Sequence, residues 1–310
     1  MARRTSGCAA PLRHGPSSSP PSGWCHAMKR FIRTSWVIDV LRLVRAHNLV
    51  VAAAGVLAGG WIALGSLATP TLLVFAAAAA VGLGAAGNAV NDVWDADADR
   101  VNRRPGERPL AAGRLSRGTA DLCVVGGTLL GLGAAALVNG AAVLVGLGAL
   151  AVMLVYSPLL KRRGVAGNIA VALVAGLPLE YGALAVGRPA AGVVPWVLAA
   201  WLHLVREIVK DLDDEPGDRL VGRRTLPVAI GSRATALLAA GLGVAFVPLS
   251  LALPLAARYG AAYFLIALFA QLAVLLVASR LIAGKPDRNS WWLKGAMIVG
   301  IVALVAGRIA

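Results

Sequence analysis

The chain has 310 residues, of which 58% are hydrophobic and 15% charged, with a mean hydropathy of +0.74. Soluble domains carry about 25% charged residues, so this composition excludes an ordinary soluble domain. A net charge of +15 suits a nucleic-acid partner in a soluble protein. Here its distribution along the chain assigns it to membrane topology, and no nucleic acid is expected. Cys8, Cys25 and Cys123 have no metal-ligand spacing and build no disulfide framework.

In chain order, residues 1–30 read as a disordered basic extension, because GPSSSPPSG at 15–23 and its flanks cannot bury a core. Met28 opens an alternative start. Residues 31–310 read as one all-α, polytopic membrane domain with nine transmembrane helices. Its apolar spans are expected at 36–66, 71–94, 118–138, 141–160, 165–186, 192–212, 228–253, 260–283 and 291–308, against the roughly 20 residues that cross a bilayer. The first turns of the first span, Trp36 to Arg45, read as interfacial. Pro70, Pro189 and Pro254 are expected at short turns, where a missing backbone donor is tolerable. Abundant Ala and Gly suit close helix packing in lipid. With nine spans, the N-terminus and the loops after even-numbered spans share one side. That side holds all of the 30 Lys and Arg except Arg188, Arg258 and Arg308. The positive-inside rule makes it cytoplasmic, which predicts a multi-pass protein of the cell membrane with a cytoplasmic N-terminus.

The acidic residues are patterned. Asn88, Asp92, Asp95 and Asp99 lie at the cytoplasmic end of the second span, and Glu207, Asp211, Asp214 and Asp218 at that of the sixth. Both sets have the spacing i, i+4, i+7, i+11, which places each set on one helical stripe. Recurrence four spans later suggests two related four-helix halves and an extra ninth helix. Carboxylates crowded on one face repel one another, so a cation is expected between the stripes. Oxygen-only ligands suit Mg²⁺, which completes its shell with water and substrate phosphate. The plain alternative is a pair of solvated helix ends, but acids in membrane spans are costly and usually functional. The two stripes therefore predict a metal-bridged diphosphate at the cytoplasmic face.

Asp97 and Asp213 point off the stripes. Glu180, inside the fifth span, either orients a substrate or lies near the outer interface. Arg103, Arg104, Arg108 and Arg114 follow the first stripe, Arg223 and Arg224 the second, and Lys161 ends the fourth span just after Tyr156. Lys161 and Arg108 are the expected phosphate ligands, with Arg45 and Asn48 as further candidates. His203 reads as a core residue.

NDVWDADAD at 91–99 resembles the first signature of UbiA-type prenyltransferases, and REIVKDLDDEPGDRLVGRRTLPVAIG at 206–231 resembles the second. DRVNRRPGERPLAAG at 99–113 and YSPLLKRRGVAGN at 156–168 are similar to two further family segments. RRPGERP at 103–109 departs from the family's shorter loop, which leaves Arg104 as an alternative to Arg108. Within the family, REIVKD, the following GD and RTLP, together with GNAVNDVWD at 87–95, are most similar to the digeranylgeranylglyceryl phosphate synthase branch. The resemblance implies a nine-helix bundle around a central cavity and Mg²⁺-dependent transfer of a prenyl group from its diphosphate to a lipophilic acceptor. For this branch the prenyl group is geranylgeranyl and the acceptor a geranylgeranylglyceryl-phosphate-like lipid. Aromatic acceptors of the 4-hydroxybenzoate, homogentisate, menaquinone or chlorophyll type stay open, as does a non-catalytic polyprenyl-phosphate carrier. On this basis Asp92, Asp95 and Asp99 hold one Mg²⁺ and Asp211, Asp214 and Asp218 another, with Lys161 completing the catalytic set. Asn88, Asn91, Arg108, Arg45, Asn48 and Tyr156 are assigned to the substrate. The partners expected are the lipid bilayer, a prenyl diphosphate and the acceptor, with no obligate protein partner.

Overall fold

The computed structural model describes residues 35–66, 68–101, 108–160, 164–285 and 288–309. The chain divides into two compact units, Met1–Ile38 and Asp39–Ala310. In the first, residues 35–38 are helical, while the extension expected at 1–30 lies outside the described residues. In the second, residues 39–43 are helical. Then come α1 (Ala46–Leu64), α2 (Pro70–Val101), α3 (Arg117–Ala136), α4 (Gly140–Val155), α5 (Val165–Ala185), α6 (Pro189–Leu220), α7 (Ser232–Ala256), α8 (Ala261–Ile282) and α9 (Asn289–Ala306). Among the described residues these helices, α4 together with the turn that continues it to Leu160, give nine spans long and apolar enough to cross a membrane, and there is no strand. The protein is an all-α, multi-pass membrane protein. Leu122, Leu129, Leu144, Leu265 and Phe269 are exposed on the bundle, a surface suited to lipid tails.

Small residues bring the helices together. A Cβ on Gly182 of α5 would strike the Val56 carbonyl of α1, and one on Gly59 the Leu179 carbonyl. A Cβ on Gly82 of α2 would come within 2.6 Å of the Gly131 nitrogen on α3. Lipid tails are as apolar as leucine, so such close approach, rather than water exclusion, holds membrane helices together. In the second half Val205, Ile208 and Val209 of α6 are buried in one cluster with Val274 and Val277 of α8 and Leu293 of α9.

Three boundaries differ from expectation. The first span breaks at Val44–Arg45, where Arg45 adopts a left-handed backbone with φ 54. Contacts from α2 hold the break, since Asn88 Nδ2 donates to the Val44 carbonyl at 2.9 Å. Next, α2 and α6 run past their expected ends at 94 and 212, each reaching 32 residues. Tertiary partners for the charged side chains keep those last turns helical. Finally, Pro254 lies within the last turn of α7 rather than in a short turn; membrane helices tolerate proline where neighbours satisfy the freed carbonyl. Pro70 and Pro189 open α2 and α6, positions where the missing N–H is no loss.

Candidate active site

Helix length positions the site. Thirty-two residues at about 1.5 Å each span about 48 Å, while the hydrocarbon core is about 30 Å thick. The last turns of α2 and α6 therefore clear the hydrocarbon, and those turns carry the aspartates.

Three arginines pair with the stripe aspartates. Asp92, 1% exposed, accepts from Arg45 Nη2 at 2.9 Å and from Arg108 Nη1 at 2.6 Å. Arg108 also reaches Asp99, with Nε 3.4 Å from Oδ2. Arg223, on the segment after α6, donates from Nη2 to Asp95 at 2.6 Å and from Nη1 to Asp218 at 3.4 Å. One guanidinium thus joins α2 to the segment that closes α6, and the two stripes face it from opposite helices. Burial opposes the charge on Arg223, yet Asp95 and Asp218 outweigh it and hold its pKa above the ordinary arginine value.

The remaining partners come from α4, α5 and the loop after α2. Pro158 has no amide hydrogen and its ring crowds the preceding turn, and here α4 widens into a π-turn over Tyr156–Leu160, a feature common at functional sites. The turn buries Tyr156 and Ser157. Ser157 Oγ donates to Asn91 Oδ1 at 3.1 Å, and Tyr156 lies within electrostatic reach of Glu207, Asp211, Asp95 and Asp218. Gly164 takes φ 56 to start α5, whose buried Asn168 donates from Nδ2 to Asp211 Oδ2 at 2.8 Å. The loop carrying Arg108 is pinned by Arg114, whose Nε lies 3.0 and 3.1 Å from the two oxygens of buried Asp39.

Of the sequence-predicted residues, Asn88, Asn91, Asp92, Asp95, Asp99, Asp211, Asp218, Arg45, Arg108 and Tyr156 come together in this network. Asp214 lies on the same face of α6 and has a buried Oδ1. Asn48 is exposed on α1, apart from these aspartate contacts. Lys161, Arg103 and Arg104 lie outside the described residues. Glu180 sits on α5 against Gly192 of α6, twelve residues along α5 from Asn168, about 18 Å at 1.5 Å per residue. Arg223 and Asn168 were passed over as ligands by sequence reasoning. An asparagine in the first turn of an apolar span was a signal that pointed to Asn168.

Among the described residues no three His, Cys, Asp or Glu side chains gather as a ready metal cage. The carboxylates instead stand in pairs about shared arginines. Asp92 Oδ2 is buried without a hydrogen-bond partner, and every acidic donor here is oxygen, which fits a hard cation holding one or two carboxylates plus phosphate.

A sequence profile for the UbiA prenyltransferase family matches residues 52–301. The chain is 35% identical over 273 residues to the digeranylgeranylglyceryl phosphate synthase of Methanothrix thermoacetophila, covering 87% of this chain and 99% of that relative. Among solved structures, one of a digeranylgeranylglyceryl phosphate synthase superposes with a TM-score of 0.71 at 24% identity, over 88% of this chain and 98% of that one. A UbiA homolog from Archaeoglobus fulgidus bound to GPP and Mg²⁺ gives 0.60 at 19%, over 87% and 99%. Fold and matches define a polytopic membrane prenyltransferase. The chain belongs to the UbiA prenyltransferase family.

Proposed function

We propose that this prenyltransferase moves a geranylgeranyl group from geranylgeranyl diphosphate to a geranylgeranylglyceryl-phosphate-like lipid at the cytoplasmic face of the cell membrane. Asp92, Asp95 and Asp99 hold one Mg²⁺, and Asp211, Asp214 and Asp218 the other. One contact supports this above all: Arg223 occupies the gap between Asp95 and Asp218, so the two stripes already share a cation. The acceptor class follows the synthase relatives.

When bound, the divalent ions offset charge growing on the departing pyrophosphate. Arg45, Arg108 and Arg223 turn guanidinium donors toward phosphate oxygens. Asn168 fixes one oxygen of Asp211, and Ser157 fixes Asn91. The allylic carbon–oxygen bond breaks with its electron pair going to pyrophosphate, and an acceptor hydroxyl closes a new carbon–oxygen bond as its O–H bond breaks and the proton passes to the released pyrophosphate. Tyr156 presents a buried ring to the allylic cation.

The test incubates membranes with labelled geranylgeranyl diphosphate and, separately, geranylgeranylglyceryl phosphate, 4-hydroxybenzoate and homogentisate. Transfer to the glyceryl phosphate lipid is expected, abolished by EDTA and cut at least about a hundredfold by Asp95→Asn or Asp214→Asn. Transfer confined to the aromatic acceptors, or indifferent to chelation, sinks the assignment.

A further inference from the structure

The basic residues near the site divide into two groups. Arg45, Arg108 and Arg223 are paired with stripe aspartates. Arg206 and Lys210, one helical turn apart on α6, share the single acid Glu207, at 3.1 and 2.9 Å. Two cations on one carboxylate leave a positive excess inside a membrane-spanning helix, where uncompensated charge is expensive. Arg206 is 16% exposed and its Nε is buried without a hydrogen-bond partner. Neighbouring helices bring further basic groups close by. α1, α6 and α9 pack against one another, and His47 on α1 lies within electrostatic reach of Arg45, Arg206 and Lys294.

The cluster lies at the inner end of the second acidic stripe. From its first residue, Pro189, α6 rises about 1.5 Å per residue. Arg206 and Lys210 therefore lie about 26 and 32 Å along it, near the edge of the roughly 30 Å hydrocarbon. Asp211 is the next residue, and Asp218 lies about 12 Å beyond Lys210. A lipid with its tail in the bilayer carries its headgroup at the level of the cluster. Glu207 reaches Tyr156 electrostatically, so the cluster borders the reaction centre.

We propose that Arg206 and Lys210 form the subsite for the phosphomonoester of the lipid acceptor, distinct from the arginines that serve the donor diphosphate. Arg206 offers a planar fork and Lys210 a point charge, a pairing that matches a doubly charged phosphate, and Glu207 positions both while the subsite is empty. This assignment rests on the function proposed above and adds the residues that select an anionic acceptor.

Purified enzyme in nanodiscs is assayed with geranylgeranyl diphosphate against geranylgeranylglyceryl phosphate and, separately, geranylgeranylglycerol. Arg206→Gln and Lys210→Gln are expected to raise KM for the phosphorylated acceptor about tenfold to a hundredfold. They leave KM for the donor in place and erase the preference over the neutral acceptor, and Arg206→Lys restores part of it. Wild-type enzyme that prenylates neither glyceryl lipid overturns the function and the subsite with it. Wild-type enzyme active on the phosphate lipid, with variants that keep its KM or raise the donor KM instead, overturns the subsite alone. Should Arg206→Gln not fold, Lys210→Gln and Arg206→Lys carry the same comparison, with direct binding of geranylgeranylglyceryl phosphate as the second readout.

Discussion

Arg45 carries two separable burdens. Its backbone holds a left-handed conformation with φ 54 where the chain enters α1, and its guanidinium caps Asp92 at 2.9 Å. Such a conformation costs a non-glycine residue about 1–3 kcal/mol, and the ion pair with a buried aspartate helps to hold it. Arg45→Gly keeps the bend and removes the charge. Expression and thermal stability should stay near wild type while affinity for the prenyl diphosphate falls about tenfold or more, measured by titration in detergent. Arg223→Gln removes the cation that two helices share. It should lower kcat about 10²–10³-fold, the scale of losing one preorganised donor to a developing charge. A kcat within threefold of wild type would leave Arg223 a structural clasp only.

At the scale of elements, α2 and α6 are a matched pair: each has 32 residues, opens on proline and ends in carboxylates. Each is a straightforward apolar span until its last turns, where propensity gives no reason to continue. Packing supplies one, since Arg108 spans Asp92 and Asp99 along α2 and Ser232 Oγ, at the start of α7, donates to Glu215 of α6. Close helix approach sets the tolerance of the rest. Gly182→Leu drives a side chain into the α1 backbone and should cost more than about 3 kcal/mol, read as a lower unfolding temperature in detergent. Gly126→Ala, with no atom within 4 Å of its added Cβ, should be neutral or gain up to about 1 kcal/mol. Equal effects for the two would show that small residues do not seat these helices.

For the whole molecule, orientation is the open physical quantity, and basic residues bias it. In a background lacking native cysteines, Gly118→Cys at the start of α3 should react with a membrane-impermeant maleimide only after the inner face is opened. Ala190→Cys at the start of α6 should react in intact cells. The reverse pattern would move the site to the outer face. The number of spans, their order and the two acidic ends were legible from the sequence, because hydropathy and a four-residue repeat are local properties of the chain. Asn168, Arg223 and the break at Arg45 were not. Asn168 meets Asp211 across 43 residues and Arg223 meets Asp95 across 128. No local pattern selects one arginine among the many that topology places on that face. By itself, the sequence determined that this is a multi-pass membrane protein with two matching acidic stripes. Which cations sit between those stripes, and which are left over on α6 for another anion, was decided only by packing α1, α2, α5 and α6 together, because ion pairing within a few ångströms depends on distances that exist only once the helices meet.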